Sequence, residues 1–211
     1  MSDYNLNRLA EELGRSLCRC GSGQCDLLSN DIGLCRTVIR LLAQGQPVSA
    51  DALAQAAGRA REDVLAVIQG NYNVELDARG HIIGAGLSLR PTPHRLAVEG
   101  RMLYAWCALD ALMYPPLLDM VVQVESPCAA TERLVRVQVS THGVQDVAPA
   151  DAVVSVVKPD AAPGVRQAFC SHVHFFRSAQ AAAPWLQAHP HGYLLSVGEA
   201  FRLGQRLIAT Y

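Results

Sequence analysis

The chain predicts an α+β fold: an N-terminal winged-helix-like part followed by a mixed antiparallel-sheet and helix core. Three observations carry that expectation. Helical periodicity and capping signals fill residues 1–69 and run into a short hairpin. Runs of β-branched residues crowd 121–157. Strands and helices mix without the βαβ rhythm of a parallel sheet. With 211 residues, half of them hydrophobic and 18% charged, the chain is globular and long enough for a substantial core. Its net charge of −1 argues against a protein whose main task is gripping nucleic acid or anionic lipid.

Residues 1–30 combine a helix, with Leu6, Leu9, Leu13 and Leu17 at helical spacing, and a glycine-containing loop that holds Cys18, Cys20 and Cys25. Met1–Asn5 has neither the basic start nor the apolar run of a signal peptide, and no uninterrupted stretch reaches transmembrane length. A reducing cytoplasm is the expected location, where the seven thiols stay free. The three loop cysteines lack the paired spacing of a common zinc site.

Residues 31–90 read as the winged-helix-like part. Asn30 or Asp31 caps a helix through Val38, Ile39, Leu41 and Leu42. Ser49 caps Ala50–Ala57, Gly58 ends it, and a third helix covers about 61–69. Val74–Leu76 and His81–Ile83 then form a hairpin about the turn at 77–80. Three helices and a wing suggest DNA binding, yet Pro47–Gln69 holds Arg59 and Arg61 against Asp51, Glu62 and Asp63. Acidic side chains at the start of a recognition helix repel phosphate. The layout is expected without its usual task.

Residues 91–211 form the expected catalytic core, joined by a linker or wrap-around segment at 90–100. Residues 101–113 read as one apolar helix stopped by Pro115 and Pro116, with Cys107 and Asp110 three apart on one face. Strands follow at 121–125, 134–139 and 152–157, with Cys128 in the turn between the first two. Were Val165–Phe176 extended, Cys170, His172 and His174 would share one face and offer zinc ligands. A helix at 181–188, a short strand at 194–197 and a final helix complete the chain.

Buried aspartate is disfavoured unless paired or protonated, so a thiol and a carboxyl on an apolar helix invite two readings. One is a packed cysteine with Asp110 bonded to backbone. The other is chemistry: separated thiols around a soft metal, with Asp110 as a proton carrier whose pKa is raised by desolvation. A Ser-His-Asp elbow and a CxxC redox motif are both missing.

The segments YAWCALDAL (104–112), CAAT (128–131) and FCSHVHFF (169–176) resemble the bacterial organomercurial lyase, or alkylmercury lyase, family. The likeness covers most of the chain from about Gly45 onward. It implies that Cys107 and Cys170 bind the substrate's mercury and that Asp110 carries the proton to carbon. It also implies that Cys128 is structural and that no metal or organic cofactor is required. Hg(II) would pass to cellular thiols or a mercuric reductase, with no nucleic-acid or membrane partner and a monomer or weak homodimer as the working unit. Ser171 stands where some relatives carry a second cysteine. Cys18, Cys20, Cys25 and Cys35 lie outside the signature and are expected to be exposed thiols able to capture mercury. The rival readings are a winged-helix Hg(II) sensor and a mercury-sequestering protein without turnover.

Overall fold

A computed structural model of the chain describes residues 3–17, 32–69, 73–159 and 164–210. Cys18, Cys20 and Cys25 lie outside these residues. Helix α1 (Asp3–Leu17) buries Leu6, Leu9 and Leu13. It lies along the C-terminal helix α8 (Val197–Thr210), where Asp3 pairs with Arg206 at 2.9 Å.

Helices α2 (Ile32–Leu42), α3 (Ala50–Ala57) and α4 (Arg61–Ile68) follow as expected. Ser49 Oγ accepts the Ala52 N–H at 3.1 Å, and Gly58 closes α3 in the left-handed region. The wing is the antiparallel pair β1 (Glu75–Leu76) and β2 (Ile82–Ala85). It does not stand alone: β2 pairs with β3 (Leu87–Ser88), and β3 with β5 (Arg101–Ala105). One antiparallel sheet therefore runs through both halves of the chain, in the order β1-β2-β3-β5-β4-β6-β7-β8.

Two expectations about secondary structure need correction. The 90–100 segment is not a linker, because His94–Val98 forms β4 between β5 and β6. Its inward His94, Leu96 and Val98 alternate with exposed Arg95 and Ala97, a period-two pattern compressed between Pro93 and Gly100. Nor is 101–113 one helix. Its first five residues are β5, with Leu103 and Ala105 buried; α5 runs Ala108–Leu117 and holds Pro115 and Pro116 inside. Each proline removes one N–H from the helical ladder, yet proline φ suits a helix, and the ladder resumes where the Leu118 N–H donates to the Tyr114 carbonyl.

Strands β6 (Val122–Pro127), β7 (Leu134–Ser140) and β8 (Gly143–Ala148) complete the large sheet as a meander. A second sheet pairs β9 (Val153–Val156) with β10 (Phe175–Phe176) and β11 (Tyr193–Ser196). Short helices α6 (Val165–Ala168) and α7 (Ala183–Ala188) lie between its strands in sequence, α6 before β10 and α7 after it. A single hydrophobic core reaches from α1 and α2 through the sheet to α5 and α8. Among the described residues, no helix is long and apolar enough to cross a membrane.

Candidate active site

Cys107 is not inside a helix but at its threshold. Its backbone is extended, it is the N-cap of α5, and its Sγ accepts the Asp110 backbone N–H at 3.5 Å. Sulfur stands where a serine oxygen usually caps, so the three-residue spacing is the cap-to-third-turn-residue relation. A helix N-terminus also favours negative charge on the sulfur.

Cys170 arrives from the far end of the chain. It opens a 3-10 turn, Cys170–His172, and not the strand that would have aligned Cys170, His172 and His174. The zinc arrangement therefore does not form. Ser155 Oγ of β9 fixes the turn, donating to the His172 carbonyl and accepting the His174 N–H, both at 2.9 Å. The Ala108 N–H donates to the Val173 carbonyl at 3.1 Å, which ties the start of α5 to that turn.

Consequently the Cys170 thiol points at Asp110, donating to Oδ2 at 3.7 Å. The ligand atoms of Cys107, Asp110 and Cys170 lie within 4.8 Å of one another, and all three residues are buried. Burial drives the Asp110 carboxyl up to about 6, although hydrogen bonds from Cys107, Cys170 and Tyr114 oppose the rise. Burial likewise holds the Cys107 thiol well above its ordinary value. The hydrogen bond from Cys107 lowers Cys170, but burial and the Asp110 charge outweigh it and the net direction is upward. All three shifts run toward the uncharged form, the direction that burial dictates for a carboxyl and for thiols.

A cavity of about 30 Å³ opens onto this cluster. Cys170 and Asp110 line it together with Gly86, Trp106, Tyr114 and Cys35, while Cys107, fully buried, sits behind. Arg166 lies 5.2 Å above the Trp106 ring and pairs with Glu75 of β1. The expectation that Cys35 is exposed is wrong: it is buried on α2 and faces the cavity. Its spacing from Val38, Ile39 and Leu42 already placed it on the inward helical face. Tyr114 stands four residues after Asp110 on α5, so spacing alone puts it on the same face, whereas Gly86 carried no such signal because only the β2–β3 turn brings it to the site.

Cys128 stays outside the cluster. It is buried in the turn after β6, where its Sγ accepts the Arg177 N–H at 3.4 Å and its carbonyl accepts the Glu132 N–H at 2.8 Å.

Two thiols and a carboxyl enclosed beneath a winged-helix-like part define a class of protein that handles a soft metal beside a proton carrier. Comparison with known proteins narrows the class. Residues 87–209 match the family model described as alkylmercury lyase, and residues 8–86 match that of the helix-turn-helix domain of alkylmercury lyase. The chain belongs to the alkylmercury lyase family. It is 47% identical to the alkylmercury lyase of Staphylococcus epidermidis over 178 residues, 84% of this chain and 82% of that one. It is 45% identical to that of Bacillus cereus, over 84% and 81%. The crystal structure of the mercury-bound form of MerB2 superimposes with a TM-score of 0.75 at 25% identity, covering 98% of both chains.

Proposed function

We propose that this chain cleaves the carbon–mercury bond of organomercurials by protonolysis, using Cys107, Cys170 and Asp110, as part of mercury detoxification. The observation that carries the mechanism is the Cys170 thiol directed at the Asp110 carboxyl, with the Cys107 sulfur in the same cluster. Mercury, as substrate, meets Cys170 first, because Cys170 lines the cavity and Cys107 lies behind it. Sulfur is the donor such a soft ion selects. As the Hg–S bond forms, the Cys170 proton passes to Asp110 Oδ2. Cys107 then closes on the metal, its proton leaving with the ligand that accompanied the mercurial.

Two thiolates on mercury push electron density toward the bound carbon, which becomes basic enough to take the proton now held by Asp110. The carbon–mercury bond breaks, RH departs, and Hg(II) remains on two sulfurs. In sum, R–Hg–X and two thiols give RH, HX and a mercury dithiolate. No resident metal or organic cofactor enters these steps. The product ion passes to a cellular thiol or a mercuric reductase, in a reducing cytoplasm that keeps the site thiols free.

Incubation with methylmercury and a small thiol tests the reading. Catalytic methane release is expected; stoichiometric mercury binding without methane would replace it with sequestration.

A further inference from the structure

We propose that Cys35 is a mercury-transfer ligand: a third thiol on the cavity wall that opens the product dithiolate and moves Hg(II) off Cys170. This inference rests on the lyase reading above. Cys35 comes from the winged-helix-like part, on α2, yet it lines the same cavity as Cys170 and Asp110. It stands apart from the tight cluster of Cys107, Asp110 and Cys170, and so can receive an ion from that cluster without already belonging to it. Trp106 lines this cavity too, and its indole N–H is buried with no hydrogen-bond partner among the described residues. That donor marks a cavity built to receive something that brings an acceptor, such as a sulfur-ligated ion.

The chemistry supplies the need. A two-coordinate mercury dithiolate is held tightly by its soft donors, and a further thiol attacking the metal provides the exchange route. Cys35 adds its sulfur to the ion. The Hg–S bond to Cys170 breaks, and the Cys35 proton ends on the Cys170 sulfur. Mercury then bridges Cys35 and Cys107, no electron having changed hands, while Cys170 and Asp110 regain their resting state. An external thiol next displaces the ion in the same manner.

The test uses the full chain with Cys18, Cys20 and Cys25 replaced by serine as the parent, so that competing thiols are absent. Cys35→Ser and Cys35→Ala are made in it. Rapid mixing with methylmercury reads the methane burst, and a chromogenic dithiol reads Hg(II) discharge from protein loaded with one equivalent. Discharge should slow about tenfold in both variants while the burst stays within about twofold of the parent. Unchanged discharge, or burst and discharge falling by the same factor, would overturn the role. A missing burst in the parent itself would instead sink the lyase reading. Should both variants fail to fold, Cys170→Ser in the same parent, with one Hg(II) bound, decides by X-ray absorption. Two mercury–sulfur bonds support transfer to Cys35, and one bond removes it.

Discussion

Asp110 carries the sharpest conflict between stability and chemistry in the molecule. Its carboxyl is raised from 3.8 to about 6 chiefly by burial, so the folded state holds a proton that the unfolded chain releases. The sign follows: the protonated acid favours the fold below pH 4, and that contribution is lost as pH rises through about 6. At 1.36 kcal/mol for each tenfold the loss is about 3 kcal/mol. Asp110→Asn, which cannot ionise, should therefore gain stability over the parent above pH 6 and lose the advantage toward pH 4. Urea melts at both ends of that range check it; a pH-independent difference would contradict it. The thiols are separable from folding in another way. Serine caps a helix at least as well as cysteine, so Cys107→Ser should keep its fold. Cys107→Ser and Cys170→Ser should each abolish hydrocarbon release. Asp110→Ala should retain bound mercury yet lose protonolysis, as read by headspace methane and by mercury carried through gel filtration. Of the residues in play, Cys107, Asp110 and Cys170 are legible in the sequence because their local motifs are distinctive. Cys35 is legible only as an inward helical position, since the cavity it faces is made by segments far away in sequence.

At the scale of elements, the site depends on one tight turn. Gly86 joins β2 to β3 with φ +85, and its carbonyl accepts the Trp106 N–H at 2.8 Å. A Cβ there would stand 2.8 Å from Cζ of Tyr114 and closer still to its hydroxyl. Gly86→Ala combines a disfavoured backbone with overpacking of a buried aromatic ring, so a loss of about 2–3 kcal/mol is expected. Because Tyr114 lines the cavity beside Asp110, turnover should fall alongside the thermal midpoint. An unchanged midpoint would mean that the ring moves aside freely. The amphipathic helices α1 to α4 and strands β6 and β7 are legible because one face of each is plainly apolar. β4 and β5 are not: in β4 five residues hold too few alternations to outweigh the flanking Pro93 and Gly100, and in β5 the helical propensities of Leu, Met and Ala in 101–113 prevail. Edge strand β8, GVQDVA, buries none of its residues and interrupts its two valines with Gln145 and Asp146, which leaves it without a period-two apolar pattern to read.

At the scale of the whole molecule, the winged-helix-like part and the core that follows it build one cavity. Acidic Glu62 and Asp63 open α4, where a DNA reader needs cations. This part supplies a wall of the cavity, through Cys35, Ala85 and Gly86. Its wing is continuous with the catalytic sheet through β3, and its core is continuous with that of α5 and α8. Polar ties cross the same boundary: Glu75 pairs with Arg166, and Asn73 Oδ1 accepts the Val165 N–H at 2.7 Å. A structure joined by sheet, core and hydrogen bonds has no seam along which half can melt alone. Denaturant unfolding should accordingly be one transition. Far-ultraviolet circular dichroism is weighted toward the helices of residues 3–69, whereas fluorescence reports Trp106 and Trp185, both in the catalytic half. The two signals are expected to share a midpoint. If the helical signal fell at lower denaturant than the fluorescence, the winged part would be an independent module, and the cavity wall it provides a removable one.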